Sequence, residues 1–146
     1  MPAELPAATP ASVCTAAKVR RLARRVTQIY DDALKPFGLT IGQFGLLSSL
    51  SRRNGVGIGV LAERLGSEAS TVSRLLRPLE ASGLIAIGPD PDDGRAKAIR
   101  LTDAGYDTRR RAAAGWSAAQ AEMETSLGNG RLAALRFALD DAYSHL

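Results

Sequence analysis

The stretch LAERLGSEASTVSRLLRPLE, Leu61 to Glu80, decides the fold. VLAERL, Val60 to Leu65, makes a short helix that breaks at Gly66-Ser67. A second helix then runs to about Ser82, with Ala69, Val72, Leu76 and Leu79 recurring at the three-and-four spacing of a buried stripe. Two short helices that cross steeply need a small residue at the crossing and a turn that takes a left-handed backbone. They also need a β-branched apolar residue packed back between them. Ala62, Gly66 and Val72 meet these needs at the offsets of a helix-turn-helix. Ser67 can cap the second helix, Glu68 in its first turn suits the helix dipole, and Gly83 closes it. Pro78 lacks a backbone donor, so it predicts a bend or the helix's last turns.

The face opposite the Val72–Leu76 stripe carries Ser70, Thr71, Arg74 and Arg77, with Ser67 just ahead of it. Short hydroxyl residues early in a helix, followed by arginines, suit the major groove of double-stranded DNA. The hydroxyls approach bases or phosphates closely, and the arginines reach guanine edges or backbone. The competing reading is a helical hairpin with a solvated polar face. Turn, cap, stripe and the strand pair that follows agree on DNA.

That strand pair comes next outward. Leu84 to Ile87 (LIAI) and Ala96 to Leu101 (AKAIRL) are β-compatible, and Pro89 to Arg95 joins them. On the second, Lys97, Ile99 and Leu101 share one face, and Ala98 and Arg100 the other. A hairpin directly after a recognition helix makes a winged helix, with the turn as the wing tip. Arg95 is assigned to a minor groove and Lys97 to the backbone beside it. The aspartates of this turn would be repelled by phosphate, so their work is local. They shape the turn through backbone amides, and Asp93 is the candidate to hold the Arg95 side chain in its reaching pose.

Two other motifs fail on their own chemistry. A calcium loop needs acids at its first, third and fifth positions and a glutamate at the twelfth. Counted from Asp90, the fifth is Gly94 and the twelfth Leu101. Gly57 to Ala62 fits a dinucleotide pattern, but no strand precedes it and no βαβ unit surrounds it.

The flanks read as helices. Val13 to Leu34 carries Val19, Leu22, Val26, Ile29 and Ala33 on one face, and Lys18, Arg20, Arg21, Arg24 and Arg25 over much of the rest. Pro36 and Gly38 end it. Thr40 caps a helix through about Leu50, and Asn54-Gly55 marks a turn. Thr102 caps a long helix through about Leu127, and Gly128-Asn129-Gly130 breaks the chain. A last helix, Arg131 to Tyr143, is expected to bury Leu132, Leu135, Leu139 and Ala142. The fold class is therefore mainly α with a small β-hairpin wing (α+β): a winged helix-turn-helix with N- and C-terminal dimerisation helices. Residues 1–12 form a flexible tail, 13–38 an N-terminal dimerisation helix, 39–102 the DNA-binding lobe and 103–146 the C-terminal dimerisation helices. The end helices are too long to bury their stripes on so small a lobe. Pairing them across a two-fold axis would hide the stripes and set two recognition helices about 34 Å apart.

Composition bounds the alternatives. The 146 residues carry a net charge of +4, which points to a polyanionic partner or an acidic membrane surface. No apolar run is long enough to span a bilayer, and Met1 to Ser12 lacks the pattern of a signal peptide, so the cytoplasm is the expected location. The basic face of the first helix is explained by solvation without a membrane. With one cysteine, Cys14, and one histidine, His145, the chain offers no intrachain disulfide, no four-ligand zinc site and no catalytic triad. No enzyme activity, metal or cofactor is expected.

LKPFGLTIGQFGLLSSL (Leu34 to Leu50), LAERLGSEASTVSRLLRPLEASGLI (Leu61 to Ile85) and PDPDDGRAKAIRLTDAG (Pro89 to Gly105) together resemble the MarR family of transcriptional regulators, over about Val13 to Leu146. The wing Asp-x-Arg at Asp93-Gly94-Arg95, followed by Leu101-Thr102, is the most specific part. Many relatives carry arginine where this chain has Gly94. The resemblance implies a homodimer on a palindromic operator, usually a repressor, released by a small and often aromatic effector bound between the dimerisation helices and the DNA-binding lobe. By position Tyr30, Phe37, Phe44, Leu47 and Trp116 are the candidates to line that pocket; simple core packing is the alternative for each. A peroxide-sensing branch of the family has a cysteine near the start of the first helix, which makes Cys14 a candidate redox site with Lys18 one turn on. Tyr30 resembles one of that branch's two tyrosines. Ile41 stands at the place of the other, and the cysteine is about two residues out of register. The rival from another class is a winged-helix protein-interaction module without DNA binding.

Overall fold

Turns and caps set the element boundaries in the computed structural model, which describes residues 13–146. Residues 1–12, expected to be a tail, lie outside the described residues. Helix α1 spans Thr15–Leu34, and a short 3-10 turn, Lys35–Phe37, follows it. Then come α2 (Ile41–Ser48), α3 (Ile58–Leu65) and α4 (Ala69–Ala81). The hairpin is β1 (Ile85–Pro89) and β2 (Lys97–Leu101), and α5 (Asp103–Leu127) and α6 (Asn129–His145) complete the chain.

Thr40 caps α2 through a reciprocal box. Its hydroxyl accepts from the Gln43 amide at 3.2 Å, and the Gln43 side chain accepts from the Thr40 amide at 3.0 Å. Asp31 of α1 accepts from the Ile41 amide at 2.8 Å, so the end of α1 fixes the start of α2. Thr102 caps α5 by accepting from the Gly105 amide at 3.0 Å, and its hydroxyl donates to the Gly83 carbonyl at 2.7 Å.

Gly66 and Gly83 take the left-handed backbone that each turn requires, at φ 60° and 73°. At the first, the Gly66 amide donates to Glu63 and the Ser67 amide to Ala62, which closes α3 in a Schellman motif. This corrects the expected cap. Ser67 is consumed in ending α3, its hydroxyl turning back to the Leu65 carbonyl at 3.4 Å. Glu68 occupies the N-cap of α4 and makes no side-chain cap bond. Pro78 lies in the last turns of α4, which continues to Ala81.

The core gathers where α2, α3, α4 and the hairpin meet. Leu46, Leu47, Leu61, Val72, Leu79 and Ile99 are fully buried there, and Leu34 joins them from the end of α1. In the antiparallel hairpin Ile85 faces Leu101, Ile87 faces Ile99 and Pro89 faces Lys97. The expected two-face alternation of β2 is incomplete, because Ala98 is buried as well as Ile99 and Leu101. Val56 exchanges backbone bonds with Ile99 at 2.8 and 3.0 Å, adding a one-residue bridge on the far side of β2. Gly55 crosses Ala98 so closely that a Cβ would lie 2.7 Å from the alanine methyl.

Helix α5 carries the lobe on its first turns and packs along α1 beyond them. Its buried face is Gly105, Ala112, Gly115, Ala119 and Met123, and the glycines and alanines let neighbours approach. A Cβ at Gly115 would lie 2.5 Å from the Ala33 carbonyl oxygen and 2.9 Å from the Phe37 ring. Helix α6 begins at Asn129, so only Gly128 breaks the chain. Of its four expected buried residues only Leu132 is buried. Leu135 is half-buried, and Leu139 and Ala142 are exposed.

Candidate nucleic-acid interface

The turn after α3 points one face of α4 outward. Val72, Leu76 and Leu79 anchor it, which leaves Ser70, Thr71, Arg74 and Arg77 exposed along the opposite side, with Ser67 exposed just before the helix. The wing rises beside this face. Its tip is held by four bonds. The Asp90 amide donates to the Ala96 carbonyl at 2.9 Å, and the Ala96 amide to the Asp93 carbonyl at 3.0 Å. Asp90 and Asp93 carboxylates accept from the amides of Asp92 and Arg95, at 2.9 and 3.1 Å.

Asp93 therefore shapes the wing through backbone and does not brace the guanidinium of Arg95. Two residues apart, the carboxylate is nearer to the Arg95 amide, and an Asx turn uses it there. Among the described residues no ion pair involves Arg95, whose side chain is exposed.

Between α4 and the wing lies a concave surface of about 760 Å³. It brings Arg77 together with Arg95 and Lys97, over a floor that includes Leu76 and Ile99. Ser73 and Glu80 also line it, and neither was singled out in the sequence. Both stand on the α4 side facing the hairpin, a face the apolar stripe alone does not distinguish. Gly94 sits at the rim with nothing within 4 Å of its Cβ position. Three cations against one acid give the lining of this hollow a net positive charge. Ser70, Thr71 and Arg74 continue the same helix beyond it.

The five aromatic and apolar pocket candidates do not converge on one cavity. Leu47 is fully buried in the core, while Phe37 and Phe44 pack against it half-buried. Trp116 is 38% exposed on α5. Tyr30 lines a separate apolar groove of about 340 Å³ between α1, α5 and α6, with Leu22, Val26, Met123 and Leu135. Within it the Tyr30 hydroxyl donates to the Gln120 side chain, and Arg136 stands at the groove wall. Burial pushes the Tyr30 hydroxyl above the usual tyrosine value, and the Arg136 charge partly offsets this.

Cys14 is exposed at the N-cap of α1 and makes no side-chain cap bond. Tyr30 lies about 24 Å further along the same helix, so within one chain the two are not neighbours. Among the described residues, no group of three His, Cys, Asp or Glu side chains could hold a metal ion, and no helix is long and apolar enough to cross a membrane.

A helix-turn-helix followed directly by a β-hairpin defines a winged helix-turn-helix protein. The chain belongs to the MarR family, whose sequence profile matches residues 37–96. The repressor IacR of Pseudomonas putida is 25% identical over 91 residues, covering 62% of this chain and 54% of its own. The chain spans about half the length of the first curated relatives it matches. The regulator MosR of M. tuberculosis, solved in complex with DNA, is 34% identical with a TM-score of 0.75, covering 90% of this chain and 97% of that one. The repressor CouR, bound to a 23-mer DNA duplex, is 26% identical with a TM-score of 0.79, covering 90% and 94%. CouR from Rhodococcus jostii has also been solved with p-coumaroyl-CoA, at a TM-score of 0.69 and 26% identity over 92% of this chain and 95% of that one.

Proposed function

We propose that this chain is a transcriptional regulator that binds a palindromic DNA operator as a homodimer. The observation that carries the reading is the continuity of the exposed α4 face with the basic hollow lined by Arg77, Arg95 and Lys97. In this reading α4 enters the major groove. Ser70 and Thr71 approach bases or phosphates, and Arg74 and Arg77 reach base edges and backbone. The wing lies over the adjacent minor groove, where the negative potential draws in Arg95, and Lys97 meets phosphate. Asp93 works by holding the wing tip rigid.

The unpaired apolar surface of the end helices supports the homodimer. Val19 and Leu22 on α1 are about half exposed, and Phe137 and Tyr143 on α6 are 73% and 81% exposed. Covering them against a second copy makes α1, α5 and α6 the dimerisation helices and residues 39–102 the reading lobe. Release of the regulator from its operator by a small, often aromatic effector is supported by the p-coumaroyl-CoA complex of CouR, and repression by the names of IacR and CouR. The regulator works in the cytoplasm, where its operator is.

Selection from fragmented genomic DNA with the purified protein tests the reading. The expected product is an inverted repeat whose half-sites lie about one helical turn apart. Recovery of no enriched sequence at low salt overturns it. The genes beside the recovered sites identify the effector class.

A further inference from the structure

Helix α5 joins the reading lobe at two separate places. At its start Thr102 caps the helix and donates to Gly83, while Gly105 lies against the Leu84 carbonyl. One turn later Arg109 reaches the end of α2. One guanidinium nitrogen donates to the carbonyls of Leu47 and Leu50, at 3.3 and 3.2 Å, at the C-terminal end of α2. The Leu47 carbonyl also accepts from the Leu50 amide at 3.3 Å, and a cation at the end of a helix suits its dipole. Tyr106 holds the arrangement. The Arg109 guanidinium is 5.2 Å from its ring centroid, and that of Arg52 is 3.9 Å over the same ring. Arg52 in turn bonds Asp103 at 3.1 Å, back on α5. Arg110 and Arg111 beside it are exposed, so only Arg109 of this basic run turns inward.

One attachment allows a lobe to tilt against its helix, and a second attachment further along opposes the tilt. We infer that Arg109 is a positioning residue that fixes the angle between α5 and the winged lobe, and so sets the half-site spacing the dimer accepts. The inference rests on the dimeric DNA-binding reading given above. Changing the spacing by one base pair moves a half-site about 3.4 Å along the duplex and about 35° around it. Shared between two lobes, the shift asks each for about 1.7 Å. A tilt of about 4° supplies this at the end of the roughly 27 Å of α5 beyond Arg109. To blur the spacing preference, a loosened latch has to admit this tilt together with a rotation of about 17° per lobe, which is the larger demand.

The test uses the duplex that wild-type protein selects from a randomised pool. It is resynthesised with its half-sites one base pair closer, unchanged and one base pair further apart. Wild-type protein is expected to lose about tenfold in affinity at either altered spacing. Arg109→Met keeps bulk and removes the donors, and it should lose less than about threefold between spacings while binding the best one more weakly. Arg109→Lys, which can still donate to both carbonyls, should restore the preference. Arg109→Gln is too short to span both carbonyls and should behave as Arg109→Met; it replaces that variant if the latter does not melt cooperatively. A merely structural role would lower affinity at all spacings alike. Spacing penalties in Arg109→Met or Arg109→Gln equal to those of wild type overturn the latch alone. Failure of wild-type protein to select any duplex overturns the DNA-binding reading and the latch with it.

Discussion

Replacing Gly105 with alanine should lower the melting temperature by about 6 °C. The added methyl would stand 1.9 Å from the Leu84 carbonyl oxygen and 2.8 Å from a Leu101 methyl. The first obstacle is backbone and cannot swing aside, and Thr102 ties this same corner to Gly83 and Leu84. Relief requires α5 to lift off the lobe, which places the cost at the upper end of overpacking, about 3 kcal/mol. Alanine regains about 0.8–1 kcal/mol of helix propensity, leaving a net loss of about 2 kcal/mol. At roughly 3 °C per kcal/mol for a chain near this size, the fall is about 6 °C. The assay is thermal denaturation followed by circular dichroism, at one fixed protomer concentration because dimer stability depends on it. Gly45→Ala is the control. It lies inside α2 with nothing within 4 Å of its Cβ position, so it should raise stability by up to about 0.8 kcal/mol. A Gly105→Ala protein that melts at or above the wild-type temperature refutes the close seating of α5 on the lobe.

Three further outcomes follow from the site. Asp93→Asn keeps an acceptor for the Arg95 amide and should bind DNA within about twofold of wild type, whereas Asp93→Ala frees the wing tip and should weaken binding about tenfold; equal losses in a binding titration would restore the guanidinium brace. Gly94→Arg meets open space and should steepen the dependence of log affinity on log salt by about 0.9, the signature of one added phosphate contact. Tyr30 titrates above its unfolded value, so the unfolded chain loses that proton first. The stabilisation is complete below about pH 10 and is lost as pH rises through the folded value. Urea titrations at pH 9 and pH 11 should show a smaller alkaline loss for Tyr30→Phe than for wild type, and equal losses exclude the effect.

The residues most legible in the sequence act locally. Thr40 and Thr102 cap as their spacing predicts, Gly66 and Gly83 turn where their backbones must, and the α4 stripe buries Val72, Leu76 and Leu79, while Ala69 at the helix start stays exposed. What escaped the sequence depends on distant or competing partners. The Val56 bridge is one residue long and its partner lies in β2, so no periodicity marks it. Ser67 has the chemistry of a cap, but the Schellman turn claims it first. Asp93 had two possible donors in Arg95, and chain geometry favours the amide. The period of α6 predicts a buried stripe, yet Leu139 and Ala142 are exposed, because period alone does not say whether a neighbour covers a face. Arg109 reads as one of three consecutive arginines until α2 is folded against α5.

The central claim is that α4 and the wing form one DNA-reading surface. Salt titration of duplex binding by wild-type, Arg74→Ala and Arg95→Ala proteins, followed by fluorescence anisotropy on the selected operator, tests it most directly. Wild-type affinity should fall steeply and linearly on a log–log plot as salt rises, and each substitution should weaken operator binding by about 1–3 kcal/mol. Unchanged affinity in both variants contradicts the account and leaves the winged helix as a protein-interaction module.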